Sequence, residues 1–228
     1  MACGPSIKEQ DISYLKGKPC VTISNFFVHP EFENLDIKYH IFGGLHAPIT
    51  RDMGIAWFKE AEIKMKDGTK VMVHEDERDI VENNNLFEKQ EVIYWEGGGS
   101  FPSTIPNKID GYVSISQVAL QVGIHVAQNM DLENVILMGI DHSWVNHVNT
   151  SKHFYDEDES VITRMGYNEW FNVHNQQQGE AMERDNLVKL SNEYDRYKVL
   201  SEPLGINVFN GTPNSMITIL PQKDFNHE

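Results

Sequence analysis

Residues 135–144 (VILMGIDHSW) constrain the fold of this chain more than any other stretch. Residues 135–140 are apolar or glycine without alternation, which is typical of a strand covered on both faces, as in a parallel sheet between helices. Asp141 and His142 follow directly. Open α/β sheets bind ligands just beyond the carboxyl ends of their strands. We therefore expect Asp141 and the loop after it to form one wall of an active site; a solvated loop after a buried strand is the alternative.

The remaining pattern predicts alternating strands and helices. Further strands are predicted at residues 20–24, 39–42, 71–73, 91–95 and 206–209. Helices are predicted at residues 8–15, after a cap at Thr50 or Asp52, at 114–130 and at 180–200. Residues 114–130 also alternate like a strand, but their length favours a helix, which with strand 135–140 makes a βαβ crossover. The sequence thus predicts one α/β domain over residues 1–228, with a Rossmann-like, mostly parallel sheet flanked by helices.

Composition excludes several classes of function. The net charge of -15 over 228 residues argues against a general nucleic-acid or anionic-membrane surface, because phosphates repel acidic faces, although a local pocket for a phosphorylated small molecule stays open. Cys3 and Cys20 form no metal or disulfide pattern. No apolar run is long enough to span a bilayer, and no signal peptide is recognisable. We expect a cytoplasmic protein without a transmembrane segment.

Two short motifs have the chemistry of ligand contacts. Gly4, Pro5 and Ser6 form a turn that can leave backbone N–H groups free at a helix start, which suits a phosphate; an ordinary turn is the alternative. Such a turn normally follows a strand, so either the sheet lacks its first strand or the chain starts upstream. Asn25 follows the strand at residues 20–24, where its amide can both donate to and accept from a base or ribose, or simply make a turn.

Two segments are predicted to be active-site loops. Residues 97–110 contain a GGGS run and two prolines, which favours a mobile lid, and a loop this long is usually functional or disordered. Residues 144–178 are polar and irregular.

Three separated pieces resemble motifs of one family. The opening CGPSI, the strand ending SNFF at residues 24–27 and LMGID at residues 137–141 are similar to the Gly-Pro-Ser, Asn-x-Phe and Gly-Ile-Asp motifs of bacterial sialyltransferases that use CMP-activated sugars. The DHS, HFY and NGTPNS stretches, with LPQKDF after them, resemble a sister group still more closely. That group includes archaeal hydroxymethylpterin pyrophosphokinase-like domains and the glycosyltransferase domain of bacterial motility accessory factors. The resemblance spans nearly the whole chain and implies a GT-A-like sialyltransferase variant of the fold.

The resemblance implies a donor site. Gly4, Pro5 and Ser6 would face the nucleotide phosphate and Asn25 the cytosine. Cys3 stands where the sialyltransferases have an asparagine. The other positions carried over to the donor are His46, near the ribose-contacting asparagine of the family, and Thr212, Asn214 and Ser215, in the turn near the donor.

The resemblance also implies the catalytic groups. His153 is the nearest equivalent of the catalytic base, with His142, His147 and His174 as rivals. Ser143 falls at the first of the two tyrosines that assist the leaving phosphate in the family. An imidazole titrates near working pH and so suits a general base.

Three functions remain open on these residues. The first is transfer of an acidic, sialic-acid-like sugar from a CMP-activated donor to a glycan acceptor, with no metal or further cofactor. The second is a pyrophosphokinase acting on a pterin-like alcohol, in which Asp141 with Asp156 or Asp158 binds Mg²⁺; the chain has no strong Lys/Arg clamp for it. The third is a non-catalytic nucleotide- or glycan-binding relative. Related sialyltransferases form homo-oligomers, so a homo-oligomer is a further expectation.

Overall fold

The computed structural model describes residues 1–96, 114–142, 153–155, 159–166 and 205–223, together with Ser191, Asp195 and Tyr197. Its strands are β1 (Pro19–Ile23), β2 (Asp36–Ile41), β3 (Lys70–His74), β4 (Glu91–Trp95), β5 (Asn134–Leu137) and β6 (Asn207–Asn210). Its α-helices are α1 (Arg51–Lys64), α2 (Arg78–Asn83), α3 (Ile115–Asn129) and α4 (Val161–Arg164). Short 3₁₀ helices lie at Pro5–Glu9, Ser13–Leu15, Ser24–Val28, Phe32–Asn34 and Glu75–Glu77.

The described strands form two parallel sheets. One has the order β1-β2-β3-β4 and the other pairs β5 with β6. The three central residues of β3 are fully buried, as expected for a strand covered on both faces. Helix α3 connects β4 to β5 and contacts β1, β2 and β5. The predicted class, an α/β fold with a mostly parallel sheet flanked by helices, is confirmed.

The first four residues join the two sheets. The Met1 nitrogen donates to the Val21 carbonyl oxygen of β1 at 2.6 Å. On the other side, the Ala2 N–H donates to the Met138 carbonyl oxygen at 2.8 Å, and the Gly4 N–H to that of Gly139 at 2.9 Å. We call residues 1–4 the N-terminal segment. It lies between β1 and the residues that directly follow β5, although none of its residues is assigned to a strand.

This arrangement creates a topological switch point. Strands β1 to β4 extend to one side of the N-terminal segment and β5 with β6 to the other. At such a point the connections on the two sides diverge and leave a crevice at the carboxyl ends of the strands.

Local signals explain several element boundaries. The Thr50 hydroxyl accepts from the Met53 N–H and caps α1, which confirms one of the two predicted caps. Ser114 and Gln117 form a capping box at the start of α3, so the helical interpretation of residues 114–130 is confirmed. The predicted strand at residues 135–140 stops at Leu137, because Gly139 turns the backbone at φ 71°.

The predicted helix at residues 8–15 is wrong. Two 3₁₀ helices take its place, with an extended Gln10 between them, although Ile7, Ile12 and Leu15 are buried as expected. The Asp11 carboxylate accepts from the Ser13 N–H at 3.0 Å. Such a local bond competes with the helical hydrogen bonds, which explains the break.

Parts of the prediction fall largely outside the described residues. These are the loop at residues 97–110, most of the loop at 144–178 and most of the helix at 180–200, of which Ser191, Asp195 and Tyr197 are helical. The irregular loop at 144–178 contains a short helix, α4. No helix in the described part of the chain is long and apolar enough to cross a membrane.

Candidate functional site

A cleft of about 580 Å³ opens at the carboxyl ends of the parallel strands, around the switch point. The ends of β1 to β5, or the residues just after them, contribute to it. The polar and glycine residues that line it include Cys3, Gly4, Ser24, Asn25, Gly43, Gly44, His46, His74, Asp76, Gly139, Asp141, His142 and His153. Aromatic residues of the lining are Trp57, Trp95 and Tyr155. Seven of the residues singled out in the sequence therefore meet in one cavity: Cys3, Gly4, Asn25, His46, Asp141, His142 and His153.

Asp141 is bound by the first 3₁₀ helix. Its Oδ1 accepts from the Ser6 N–H at 3.0 Å and its Oδ2 from the Ser6 hydroxyl at 2.8 Å. Burial raises the pKa of Asp141, and the two bonds from Ser6 act in the opposite direction. These two hydrogen bonds connect the segment after β5 to the first 3₁₀ helix of the chain.

These bonds change the expectation of a phosphate cradle at the Gly4–Ser6 turn. The Gly4 N–H is bonded to Gly139, the Ser6 N–H to Asp141, and Pro5 has no N–H. No N–H of this turn is therefore free, and the turn is bonded to a carboxylate that repels phosphate. A phosphate contact by Gly4, Pro5 or Ser6 stays a prediction that requires Asp141 to be displaced.

Two glycines permit the close approach of these segments. A Cβ on Gly4 would lie 1.9 Å from the Asp141 Oδ2, and one on Gly139 would lie 2.4 Å from the Ala2 carbonyl oxygen. Gly139 also has a φ of 71°, which side-chain-bearing residues rarely adopt. The Gly-Pro-Ser and Gly-Ile-Asp motifs thus have a packing reason for their glycines that requires no ligand.

Side chains of the loop after β6 form hydrogen bonds with the backbone of Ile140, the residue before Asp141. The Thr212 hydroxyl accepts from the Ile140 N–H at 3.1 Å, and the Ser215 hydroxyl donates to the Ile140 carbonyl oxygen at 2.6 Å. Asn214 is exposed, with a φ of 54°. None of the three lines the cleft, so their contact with a donor stays a prediction, while their bonds here fix the backbone of the wall.

Asn25 is held in one orientation. It is buried, and its amide oxygen accepts from the indole N–H of Trp57 and from the Ser160 hydroxyl at 3.3 Å. Any contact from this side chain to a ligand therefore falls to Nδ2, the donor end of the amide. The preceding Ser24 has a φ of 49°, a conformation that is uncommon for a non-glycine residue and is often found at functional sites.

His153 lies on a short segment docked against the N-terminal segment. The Phe154 N–H donates to the Cys3 carbonyl oxygen at 3.0 Å. The rings of His153 and Tyr155 stack with centroids 4.9 Å apart and planes 6° apart, and both residues line the cleft. This brings His153 to the same cavity as Asp141.

Cys3 is not a reactive group at neutral pH. Its thiol donates to the Ile23 carbonyl oxygen at 3.3 Å, and burial raises its pKa to about 12. A cysteine that remains a thiol is a poor nucleophile and metal ligand.

The other predicted histidines differ in their surroundings. Burial lowers the pKa of His142 to about 4, and its Nε2 lies 3.3 Å from the Tyr197 hydroxyl, so the ring is neutral at neutral pH. His46 is exposed at the cleft, with Nδ1 3.0 Å from the Ala47 carbonyl oxygen. The remaining candidates, Ser143, His147, Asp156, Asp158 and His174, lie outside the described residues.

Sequence reasoning gave no role to several residues of the cleft. Trp57, His74, Trp95 and Tyr155 all line it, and His74 and Trp95 are the last residues of β3 and β4. The rule that ligands bind at the carboxyl ends of parallel strands would have identified these two. Trp57 has no comparable signal, because it reaches the cleft from the middle of α1.

The charge of the cleft is uneven. Among the described residues that line it there is no Lys or Arg, whereas two carboxylates, Asp76 and Asp141, are present. The first turn of α3, at Ile115 and Ser116, also lines it, and the N-terminus of a 15-residue helix carries partial positive charge. No group of three or more His, Cys, Asp or Glu side chains in the described ranges is arranged to hold a metal ion.

Comparison of the chain with protein families, with curated proteins and with solved structures finds no match.

Proposed function

We propose that this protein is a glycosyltransferase that moves an acidic, sialic-acid-like sugar from a CMP-activated donor to a glycan hydroxyl, in a GT-A-like sialyltransferase variant of the fold. The observation that carries the proposal is the meeting of Cys3, Gly4, Asn25, Asp141 and His153 in one cleft at the switch point. These residues come from three short motifs and a distant histidine that resemble the sialyltransferases in their order.

In this reaction the acceptor hydroxyl attacks the anomeric carbon of the donor sugar. The bond from that carbon to the phosphate oxygen breaks, CMP leaves, and the hydroxyl proton passes to the imidazole of His153. The stack of His153 on Tyr155 and the Phe154–Cys3 backbone bond support this role, since they fix the ring at the cleft.

The leaving phosphate needs a partner other than Ser6, whose donors are bonded to Asp141. The first turn of α3 supplies partial positive charge and the hydroxyl of Ser116 at the cleft. We therefore assign the CMP phosphate to the first turn of α3. We assign the cytosine to the side of Asn25, whose Nδ2 can donate to it.

The identity of the donor nucleotide is tested by comparing how strongly different nucleotides stabilise the protein. Thermal unfolding is followed with CMP, CDP and ATP at equal concentrations, and we expect CMP to raise the melting temperature most. A ligand that binds only the folded state stabilises it by about 2.7 kcal/mol at 100 times its Kd. Stabilisation by ATP alone, together with a pyrophosphokinase activity that is lost in EDTA, would instead support the alternative function as a pyrophosphokinase.

Measurements of turnover test the role of His153 as the general base. CMP release from CMP-sialic acid is measured with and without a β-galactoside acceptor. His153→Ala is expected to lower kcat by about 10²- to 10⁴-fold, the usual contribution of a general base. His125→Ala is the control, because His125 bonds Asn129 on α3 and does not line the cleft. Near-normal turnover in His153→Ala would remove its role, and CMP binding without turnover would indicate a non-catalytic nucleotide-binding protein.

A further inference from the structure

The orientation of the Asn25 side-chain amide follows from the chemistry of its partner. The residue is 1% exposed and lines the cleft. One partner is the indole N–H of Trp57, a group that can donate a hydrogen bond but cannot accept one. The amide atom that faces Trp57 must therefore be the oxygen, Oδ1, and the NH₂ group must point away from the indole.

Trp57 is held in place by aromatic packing. Its ring lies edge-on to Phe42, with centroids 5.0 Å apart and planes at 80°, and it stacks on Phe58 with centroids 5.7 Å apart and planes at 25°. The residue is buried. The indole N–H therefore has little freedom to turn away from Asn25.

The second partner of Asn25 directly precedes α4. The Ser160 hydroxyl is buried and donates to the same Oδ1 at 3.3 Å. Helix α4 is attached to α1 by Glu60, whose Oε2 accepts from the Val161 N–H at 2.9 Å and whose Oε1 accepts from the Arg164 guanidinium at 3.0 Å. Both donors to Oδ1 are therefore fixed to α1.

These two donors leave Nδ2 as the end of the amide that can meet a ligand. Nδ2 has no hydrogen-bond partner among the residues that the structure describes. A nearly buried donor is stabilised by a ligand that offers it acceptors, whereas a ligand that offers another N–H leaves it unpaired. Asn25 therefore presents hydrogen-bond donors, and no acceptor, from its side chain to the cleft.

We propose that Trp57 and Ser160 are positioning residues that make Asn25 select cytosine over uracil. Cytosine has two neighbouring acceptors on one edge, N3 and O2, which match the two hydrogens of Nδ2. Uracil has a proton on N3, so the same placement sets two donors against each other and disfavours that base. The choice between these bases rests on the proposed function, in which the sugar donor carries CMP.

The orientation is tested first, without a nucleotide. Hydrogen exchange of the Trp57 indole N–H is followed by nitrogen-15 NMR of the full chain, in the wild type and in Asn25→Ala. We expect the substitution to accelerate exchange by at least about 10-fold, because the indole loses its acceptor. The indole N–H of Trp95 is the internal control, since it donates to the Phe42 carbonyl oxygen at 3.1 Å and should not change. Equal exchange rates at Trp57 in the two proteins would overturn the orientation.

The selectivity is tested next, by calorimetric titration with CMP and UMP, which share the ribose and the phosphate. We expect CMP to bind the wild type at least about 10-fold more tightly. Trp57→Phe and Ser160→Ala each remove one donor to Oδ1 and should reduce this ratio, whereas a purely structural role would weaken both nucleotides equally. Trp95→Phe is the matched control, because the indole N–H that it removes from the cleft donates to Phe42 rather than to Asn25, so the ratio should be unchanged.

The outcomes separate this inference from the proposed function. Equal affinities of the wild type for CMP and UMP, or a ratio that is unchanged in both positioning variants, would overturn the inference while CMP binding still supports the proposed function. Binding of neither nucleotide would overturn the proposed function, and with it the assignment of a base to Asn25. The exchange measurement decides the orientation of Asn25 in either case.

Discussion

Buried polar side chains hold the walls of the cleft in position. Asp141 binds Ser6, and Asn25 accepts from Trp57 and Ser160. Each of these bonds joins segments that are far apart in the sequence. At this scale the polar residues at the strand ends have a structural role as well as a proposed chemical one.

The same scale shows what the motifs could predict. Residues of the Gly-Pro-Ser and Gly-Ile-Asp motifs line the cleft, but the motifs gave no indication that Ser6 and Asp141 bind each other. Thr212 and Ser215 likewise bond the backbone of Ile140. A sequence shows which side chains can form hydrogen bonds, whereas the partner depends on how distant segments pack.

His40 makes the stability of the fold sensitive to acid. Its Nε2 donates to the Ser24 carbonyl oxygen at 3.0 Å, and its Nδ1 accepts from the Thr22 hydroxyl at 2.8 Å, so the buried ring is neutral. Burial lowers its pKa to about 3 from the ordinary 6.5. Between these values the unfolded chain binds the additional proton, so the free energy of unfolding falls as pH falls, by at most about 1.4 kcal/mol per pH unit for this group.

We expect His40→Gln to flatten the pH dependence of urea unfolding between pH 6.5 and 3. The measurement is the slope of the unfolding free energy against pH, because the substitution also changes stability itself. His46→Gln is the control, since the His46 side chain is exposed and its replacement should leave the slope close to that of the wild type. An unchanged slope in His40→Gln would show that other groups cause the acid lability.

At the scale of elements, caps fix where the helices begin. The cap at Thr50 starts α1, and α1 carries Trp57, which binds Asn25 at the cleft. Local signals of this kind were readable in the sequence, and so was β4, which matches the predicted range of residues 91–95. The segment at residues 8–15 was not, because one side-chain bond from Asp11 outweighed a weak helical pattern.

Removal of this cap should weaken α1. Thr50→Ala is expected to lower the free energy of unfolding by about 1 kcal/mol, since it leaves the Met53 N–H without its acceptor. Thr50→Ser keeps the hydroxyl and should lose much less. Denaturant unfolding of the two variants measures the difference; equal losses would mean that packing of the Thr50 methyl group, rather than the cap, is the cause.

At the scale of the whole molecule, four residues connect the two sheets. The N-terminal segment bonds to β1 on one side and to Met138 and Gly139 on the other. The cleft lies at this junction, so a change that separates the two sheets should also disturb the candidate site. Sequence patterns could not give this arrangement, because a segment of only four residues has no recognisable hydrophobic period.

Gly139→Ala should loosen this junction. The added methyl group would lie 2.4 Å from the Ala2 carbonyl oxygen, and the backbone φ of 71° adds strain. We expect a loss of at least about 2 kcal/mol in the free energy of unfolding, together with faster hydrogen exchange at the amides of Ala2 and Gly4. Gly68→Ala is the matched control. Gly68 has a φ of 87° but no atom within 4 Å of the added methyl group, so this variant has the backbone strain without the close contact. Equal losses in the two variants, with the Ala2 and Gly4 amides still protected, would show that the close approach at Gly139 is not what holds the two sheets together.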